Sequence, residues 1–352
     1  MSTITPGFVP SWHRISGGDL SLTLSRGTLL VLAAGFGVLG AAGVSIPLDA
    51  QMVVYLVGMV ALNLPHGGYE HFENLRRRRP DFRLRYVAGY LLVVAGFVGL
   101  FVVAPVLGLA LALVVAMAKG GIVGLRVLEA TVGTDHLRTR PQRYLAAAVR
   151  GGAVMLVPIV FWPDTFYTFS SLMVGLVDPG ALAPYTGHFD LTRTAIAAVY
   201  GTGLVTHIGL GYARGGGRSW AVDAGESLLL AAYFAFVPVL VAVGLYFPFW
   251  YSARQVARTR RVGDDVGADQ WDLLGDNPTT AALRAWAIAV VGALATFTVL
   301  AAVYLTFPNP LAGVDLLPGA VALWSVFISI VALPHILVGS VFDTDRGIWY
   351  VP

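Results

Sequence analysis

The stretch YVAGYLLVVAGFVGLFVVAPVLGLALALVVAMAKGGIVGL, residues 86–125, decides the fold class. It holds no acid, no arginine and a single lysine, Lys119, and Pro105 divides it into apolar runs at 86–103 and 106–125. A helix needs about 20 apolar residues to cross the hydrocarbon core of a bilayer. Each run approaches or reaches that length, so the pair reads as two membrane helices joined by a short break.

The same measure applied outward finds full spans at 28–46, 51–71, 144–162, 191–211, 224–249, 281–305 and 316–342. The piece FYTFSSLMVGLVDPGALAP at 165–183 is apolar enough to cross or to dip in. The expectation is an all-α, polytopic integral membrane bundle with nine or ten membrane segments. It forms a single membrane domain over 1–352, with an N-terminal cytoplasmic segment at 1–27 and a polar loop at 262–280. No small-residue cleavage site follows the first run, which favours a retained first helix over a signal peptide.

Composition narrows the class further. The chain is 57% hydrophobic and 12% charged, against about 25% charged residues in soluble domains. A soluble nucleic-acid binder, a disordered chain and a coiled coil are excluded together. There are no cysteines, which removes disulfides, thiolate zinc sites, iron–sulfur clusters and cysteine nucleophiles. A metal here must use His, Asp, Glu, Tyr or amide ligands.

Arginine gives the orientation, because cytoplasmic connections collect positive charge. Arg76, Arg77, Arg78, Arg79, Arg83 and Arg85 lie in the connection 73–85, and Arg126, Arg138, Arg140 and Arg143 in 126–143. Both connections are expected on the cytoplasmic side of the plasma membrane, with the N-terminus. Nine spans put Arg254, Arg258, Arg260 and Arg261 outside, against the rule. A crossing at 165–183 returns them to the inside. Gly35, Gly37, Gly40 and Gly43 fit close helix packing in lipid.

An ionisable residue at membrane depth is costly and a functional candidate by default. His13, His136 and His188 lie in connections and read as solvated. His66 and His71 flank Glu70 in LNLPHGGYEHFENL, and His66 and Glu70, four residues apart, share a helical face. His335 follows Pro334, whose freed carbonyl a histidine N–H can satisfy. His207 lies in GLVTHIGLGY with no partner motif. Lys119 lies near enough to a helix end to snorkel, and Glu226 opens a span, where the helix dipole favours an acid.

At PHGGYEH (65–71), KGGIVGL (119–125), ESLLLAAYFAFVPVLVAVGLYFPFWYSARQVAR (226–258) and LPHILVGS (333–340) the chain resembles the Brp/Blh family of membrane β-carotene 15,15′-dioxygenases. The resemblance covers most of the chain. It implies an iron-dependent membrane enzyme that uses dioxygen to split β-carotene at its central double bond, giving two retinals. Its partners would be the lipid bilayer, a carotenoid or retinal, and an opsin, with no nucleic acid. Carried over position by position, the family's metal ligands fall on His66, Lys119, Tyr251 and Gln255, so three of the four positions are substituted. Gly124 stands where the family has an Asp.

Two functions remain open on this reading. Fe(2+) bound by a rebuilt shell from His66 with some of His71, Glu70, His207, His335 and Tyr251 implies retained cleavage. Loss of the iron site implies a non-catalytic carotenoid- or retinal-binding carrier. In either case Phe236, Tyr246, Phe249 and Trp250 are candidates to line an apolar tunnel for the polyene. A transporter or channel is the third class, though no inverted repeat supports it.

Overall fold

The computed structural model describes residues 17–62, 80–255, 257–258 and 278–342, which are helices and turns with no strand among them. In chain order the helices are α1 (Gly17–Ala41), α2 (Leu48–Leu56), α3 (Pro80–Val103), α4 (Pro105–Thr131), α5 (Arg140–Phe161) and α6 (Pro163–Gly175). After a 3-10 turn at Ala183–His188 come α7 (Phe189–Ala213), α8 (Gly217–Phe236), α9 (Val239–Tyr246), α10 (Pro278–Thr306) and α11 (Leu316–Phe342). α2 runs on into a π-helical turn at Val57–Leu62, and α9 into another at Phe247–Ser252.

Proline sets many of the boundaries. A residue before proline is pushed out of the helical region, while proline itself suits the first helical turn. Ala104 thus breaks α3 from α4 at φ −142, ψ 72, and Val237 ahead of Pro238 is extended at φ −85, ψ 129. α1 stops differently. Gly43 takes φ +73, a left-handed conformation that glycine adopts without strain, and Val44 N–H returns to the Leu39 carbonyl at 2.9 Å.

Among the described residues six helical segments are long and apolar enough to cross a membrane: Leu20–Ala41, Leu84–Val103, Pro105–Thr131, Arg140–Phe161, Ala183–Ala213 and Leu316–Pro334. The expected nine or ten do not all appear as continuous spans, for definite reasons. The 51–71 run gives a shorter apolar helix, Leu48–Leu62, within the described residues. The 224–249 run is split at Pro238. The 165–183 piece forms only α6, of 13 residues, about 20 Å long at 1.5 Å per residue, followed by turns. α1 begins at Gly17, so much of 1–27 belongs to the first helix.

Two apolar clusters make the core. Met52, Tyr55, Met59, Phe97, Phe101, Trp324, Phe327 and Ile330 join α2, α3 and α11. Leu29, Val123, Val154, Tyr233, Phe234, Tyr246, Trp250 and Tyr251 join α1, α4, α5, α8 and the α9 segment. Glycines let backbones meet where these helices cross. A Cβ at Gly58 would collide with the Gly244 carbonyl, and Cβ atoms at Gly121 and Gly151 would strike the Ala147 and Met117 carbonyls. α2 therefore packs directly on α9, and α4 on α5. Large apolar side chains such as Val31, Leu92, Val199 and Leu305 point outward, as lipid contact requires.

Candidate functional site

Ser219, Asp223, Glu226 and Ser227 recur at helical spacing along α8 and are buried, with Leu230, Tyr233 and Phe234 continuing the same inward face. The first half of that face is polar and the second aromatic. Buried carboxylates persist only when paired, and arginines from three other segments meet these two. Arg150 of α5, 1% exposed, donates from Nε and Nη2 to Asp223 Oδ1 at 2.9 and 2.6 Å and from Nη2 to Glu226 Oε2 at 3.0 Å. Arg254 grips Glu226 with both terminal nitrogens, Nη1 to Oε1 at 2.7 Å and Nη2 to Oε2 at 2.8 Å. Such bidentate pairing is the strong geometry for this ion pair. Arg26 of α1 adds Nε and Nη2 on Glu226 Oε1 at 2.9 and 2.6 Å.

The other oxygen of Asp223 lies between two imidazoles. His136 Nε2 is 2.8 Å from Oδ2 and His207 Nε2 is 3.2 Å from it. His136 Nδ1 meets Ser219 Oγ at 3.1 Å. Gly211 makes this possible, since a Cβ there would fall 2.6 Å from Trp220 Cδ1 and 3.2 Å from His136 Cδ2. Trp220 is in turn fixed by its Nε1 donating to the Ile208 carbonyl at 2.9 Å.

This network anchors the segment that carries Tyr251 and Gln255. Arg254 lies 4.4 Å over the Trp250 ring and stands between Tyr251 and Gln255. Both of those side chains are buried, and Gln255 Oε1 has no hydrogen-bond partner among the described residues. Lys119 reaches the same place from α4, its ammonium 5.2 Å from the centre of the Tyr251 ring. Tilted and edge-on rings continue from there: Phe247 at 5.8 Å from Tyr251, Tyr246 at 5.3 Å from Phe247, and Phe234 at 5.5 Å from Tyr246.

The structure thus joins Lys119 and Tyr251, and buries Tyr246 and Trp250 beside them. Phe236 and Phe249 instead lie exposed, Phe236 against Gly37 of α1. His207 is held by Asp223. His66, Glu70 and His71 lie outside the described residues, as does the side chain of His335. His188 is exposed as expected. Three expectations change. His136 is buried, not solvated, because Asp223 and Ser219 receive it. Glu226 sits in the middle of α8, not at the start of a span, since that helix begins at Gly217. Arg254 and Arg258 are buried and do not belong to an exposed loop. Arg150 and Asp223 were not singled out by the sequence reading. The legible signal was the polar stripe Ser219, Asp223, Glu226, Ser227 inside an apolar helix, together with an arginine mid-way along α5.

Ferrous iron suits imidazole ligands with positions open for oxygen. Lys119, Tyr251 and Gln255 offer an amine, a phenol and an amide. Among the described residues no group of three or more His, Cys, Asp or Glu side chains is placed to hold a metal ion. The described residues therefore do not fit an iron centre.

The family model described as Beta-carotene 15,15'-dioxygenase matches residues 57–343. The chain is 55% identical over 354 residues to the probable beta-carotene 15,15'-dioxygenase Brp of Halobacterium salinarum, with 98% of each covered. It is 29% identical over 324 residues to the probable beta-carotene 15,15'-dioxygenase Blh of the same organism, covering 87% of this chain and 88% of Blh. No solved structure matches.

Proposed function

Because the chain belongs to the β-carotene 15,15′-dioxygenase family, we propose that it takes β-carotene from the lipid phase and oxidatively opens the central double bond. The near full-length likeness to Brp carries this reading. Addition of dioxygen across the 15,15′ bond puts one oxygen on each carbon, and each carbon keeps its hydrogen. The products are two C20 aldehydes, retinal. A hydrocarbon substrate needs a dry, apolar approach, and the aromatic series from Phe234 to Tyr251 supplies apolar surface inside the bundle.

The protein is placed in the plasma membrane, with its N-terminus and the arginine-rich connections 73–85 and 126–143 in the cytoplasm. α2 and the broken α8–α9 pair complete the set of membrane segments in a single domain. Iron in this chain would depend on His66, with His71, Glu70 or His335. Retinal would pass to an opsin in the same membrane.

A second reading, a carrier that binds carotenoid or retinal without cleaving it, is favoured by the amine, phenol and amide at positions 119, 251 and 255. One experiment separates the two. The purified chain in lipid nanodiscs is given β-carotene and air, retinal is followed by chromatography, and iron is measured by atomic emission. Cleavage gives retinal and near-stoichiometric iron. The carrier gives bound polyene absorbance with neither. The double variant Tyr251→His/Gln255→His is expected to raise retained iron if the family's geometry survives in the fold.

A further inference from the structure

Lys119 is the single lysine in 352 residues, and neither its role nor its placement follows from cleavage chemistry. Its position is specific. α4 carries it into the bundle, where Gly120 and Gly121 let that helix lie against α5 and against Tyr246, whose Oη would be 3.3 Å from a Cβ at position 120. The amine is half-buried and faces the Tyr251 ring. Beyond that ring run Phe247 and Tyr246. A primary amine therefore stands at the polar end of an aromatic surface, in a protein whose proposed product is a long apolar chain ending in an aldehyde.

We propose that Lys119 is a covalent attachment site for retinal, formed as an imine. The identity of the aldehyde rests on the function proposed above; the attachment does not require that cleavage occur in this chain. The neutral amine nitrogen attacks the aldehyde carbon, a C–N bond forms, and the carbonyl oxygen leaves as water. Retinal plus the lysine gives the imine plus one water, with no oxidant or reductant. The apolar surroundings assist by disfavouring the returning water. When protonated, the imine keeps its positive charge where the ammonium was, over the Tyr251 face, which attracts a cation. The polyene then lies along the aromatic surface.

The test uses the full chain in nanodiscs. All-trans retinal is added, the mixture is reduced with borohydride, and peptides are examined by mass spectrometry. A retinyl group on Lys119 is expected. Lys119→Arg keeps a cation over Tyr251 but cannot form an imine, and it should lose the adduct while still quenching tryptophan fluorescence on retinal addition. Tyr251→Leu should lower adduct yield several-fold and shift the absorbance of the unreduced complex. An unmodified Lys119 in a wild-type sample that binds retinal overturns the proposal, as does a wild-type sample in which the N-terminal amine alone is labelled. Failure of β-carotene cleavage with the adduct intact overturns the enzymatic reading alone. Cleavage without the adduct overturns the attachment alone.

Discussion

Two polar groupings sit in one apolar bundle, and they differ in the chemistry that holds them. Around Asp223 and Glu226 each of the four carboxylate oxygens meets at least two nitrogen donors or imidazoles. Around Lys119, Tyr251 and Gln255 there is a cation over a ring and an amide oxygen left without a partner. Burying a charge is tolerable when geometry and hydrogen bonds are complete. The carboxylates of the first grouping meet that condition, and the grouping ties α1, α5, α7 and α8 to the end of the α9 segment. In the second, Gln255 Oε1 is a buried acceptor left over among the described residues, and such an acceptor is what a ligand can use. One grouping thus holds the structure, and the other is what it holds in place.

The sharpest way to break that contrast is Glu226→Gln. It leaves Arg254 and Arg26 facing a neutral amide in a buried site, and removing one partner of such a pair costs about 3–5 kcal/mol. Asp223→Asn should act alike through Arg150 and His136. Thermal unfolding in nanodiscs measures the loss, and a wild-type melting temperature in Glu226→Gln would show that the network contributes nothing to the fold.

The opposite sign is expected at the second grouping. Gln255→Leu removes the buried, unpaired Oε1 at similar volume. An unsatisfied buried polar group costs about 1–3 kcal/mol, so the variant should melt above wild type. A lower melting temperature would mean that Gln255 is already satisfied, and the two groupings would then be alike.

Hydropathy made the helices legible and not the pairing between them. The runs at 86–103, 106–125, 144–162 and 191–211 became α3, α4, α5 and α7 because apolar length and flanking proline or arginine act locally. The pairing at Asp223 and Glu226 depends on residues from α1, α5, α7, α8, the α9 segment and the His136 connection, which no local pattern relates. Arginine also misled where its side chain turned inward. Arg254 counted as a marker of membrane sidedness, yet it is 2% exposed and bound to Glu226. With Arg254 and Arg258 inside the bundle, the apparent conflict over the charge of that connection rests on fewer residues. The resemblance placed Tyr251 at a ligand position, and the structure brought Lys119 to the same ring. The missing imidazoles were visible in sequence, while the amine–ring contact needed α4 and the α9 segment to be packed together.

The smallest expected effect lies where the two groupings nearly touch. Arg150 Nη1 is buried with no hydrogen-bond partner, and a Cβ on Gly124 would stand 3.7 Å from both that nitrogen and Arg150 Cδ. Three arginines, Arg26, Arg150 and Arg254, are set against two carboxylates, so the first grouping has room for one more acid. Gly124→Asp would supply it on α4, one helical turn and one residue beyond Lys119. A hydrogen bond to a charged group contributes about 1.5–3 kcal/mol, and leaving glycine gains a few tenths more in a helix interior. Desolvation of the new carboxylate takes back part of this. The net should be about 1 kcal/mol of stabilisation, read as a higher melting temperature than wild type. Gly124→Leu fills the same space without an acceptor and should melt lower. If the leucine variant were the more stable of the two, the unpaired edge of Arg150 would have no need of a partner, and the distinction between a completed network and an incomplete site would begin at Arg150 itself.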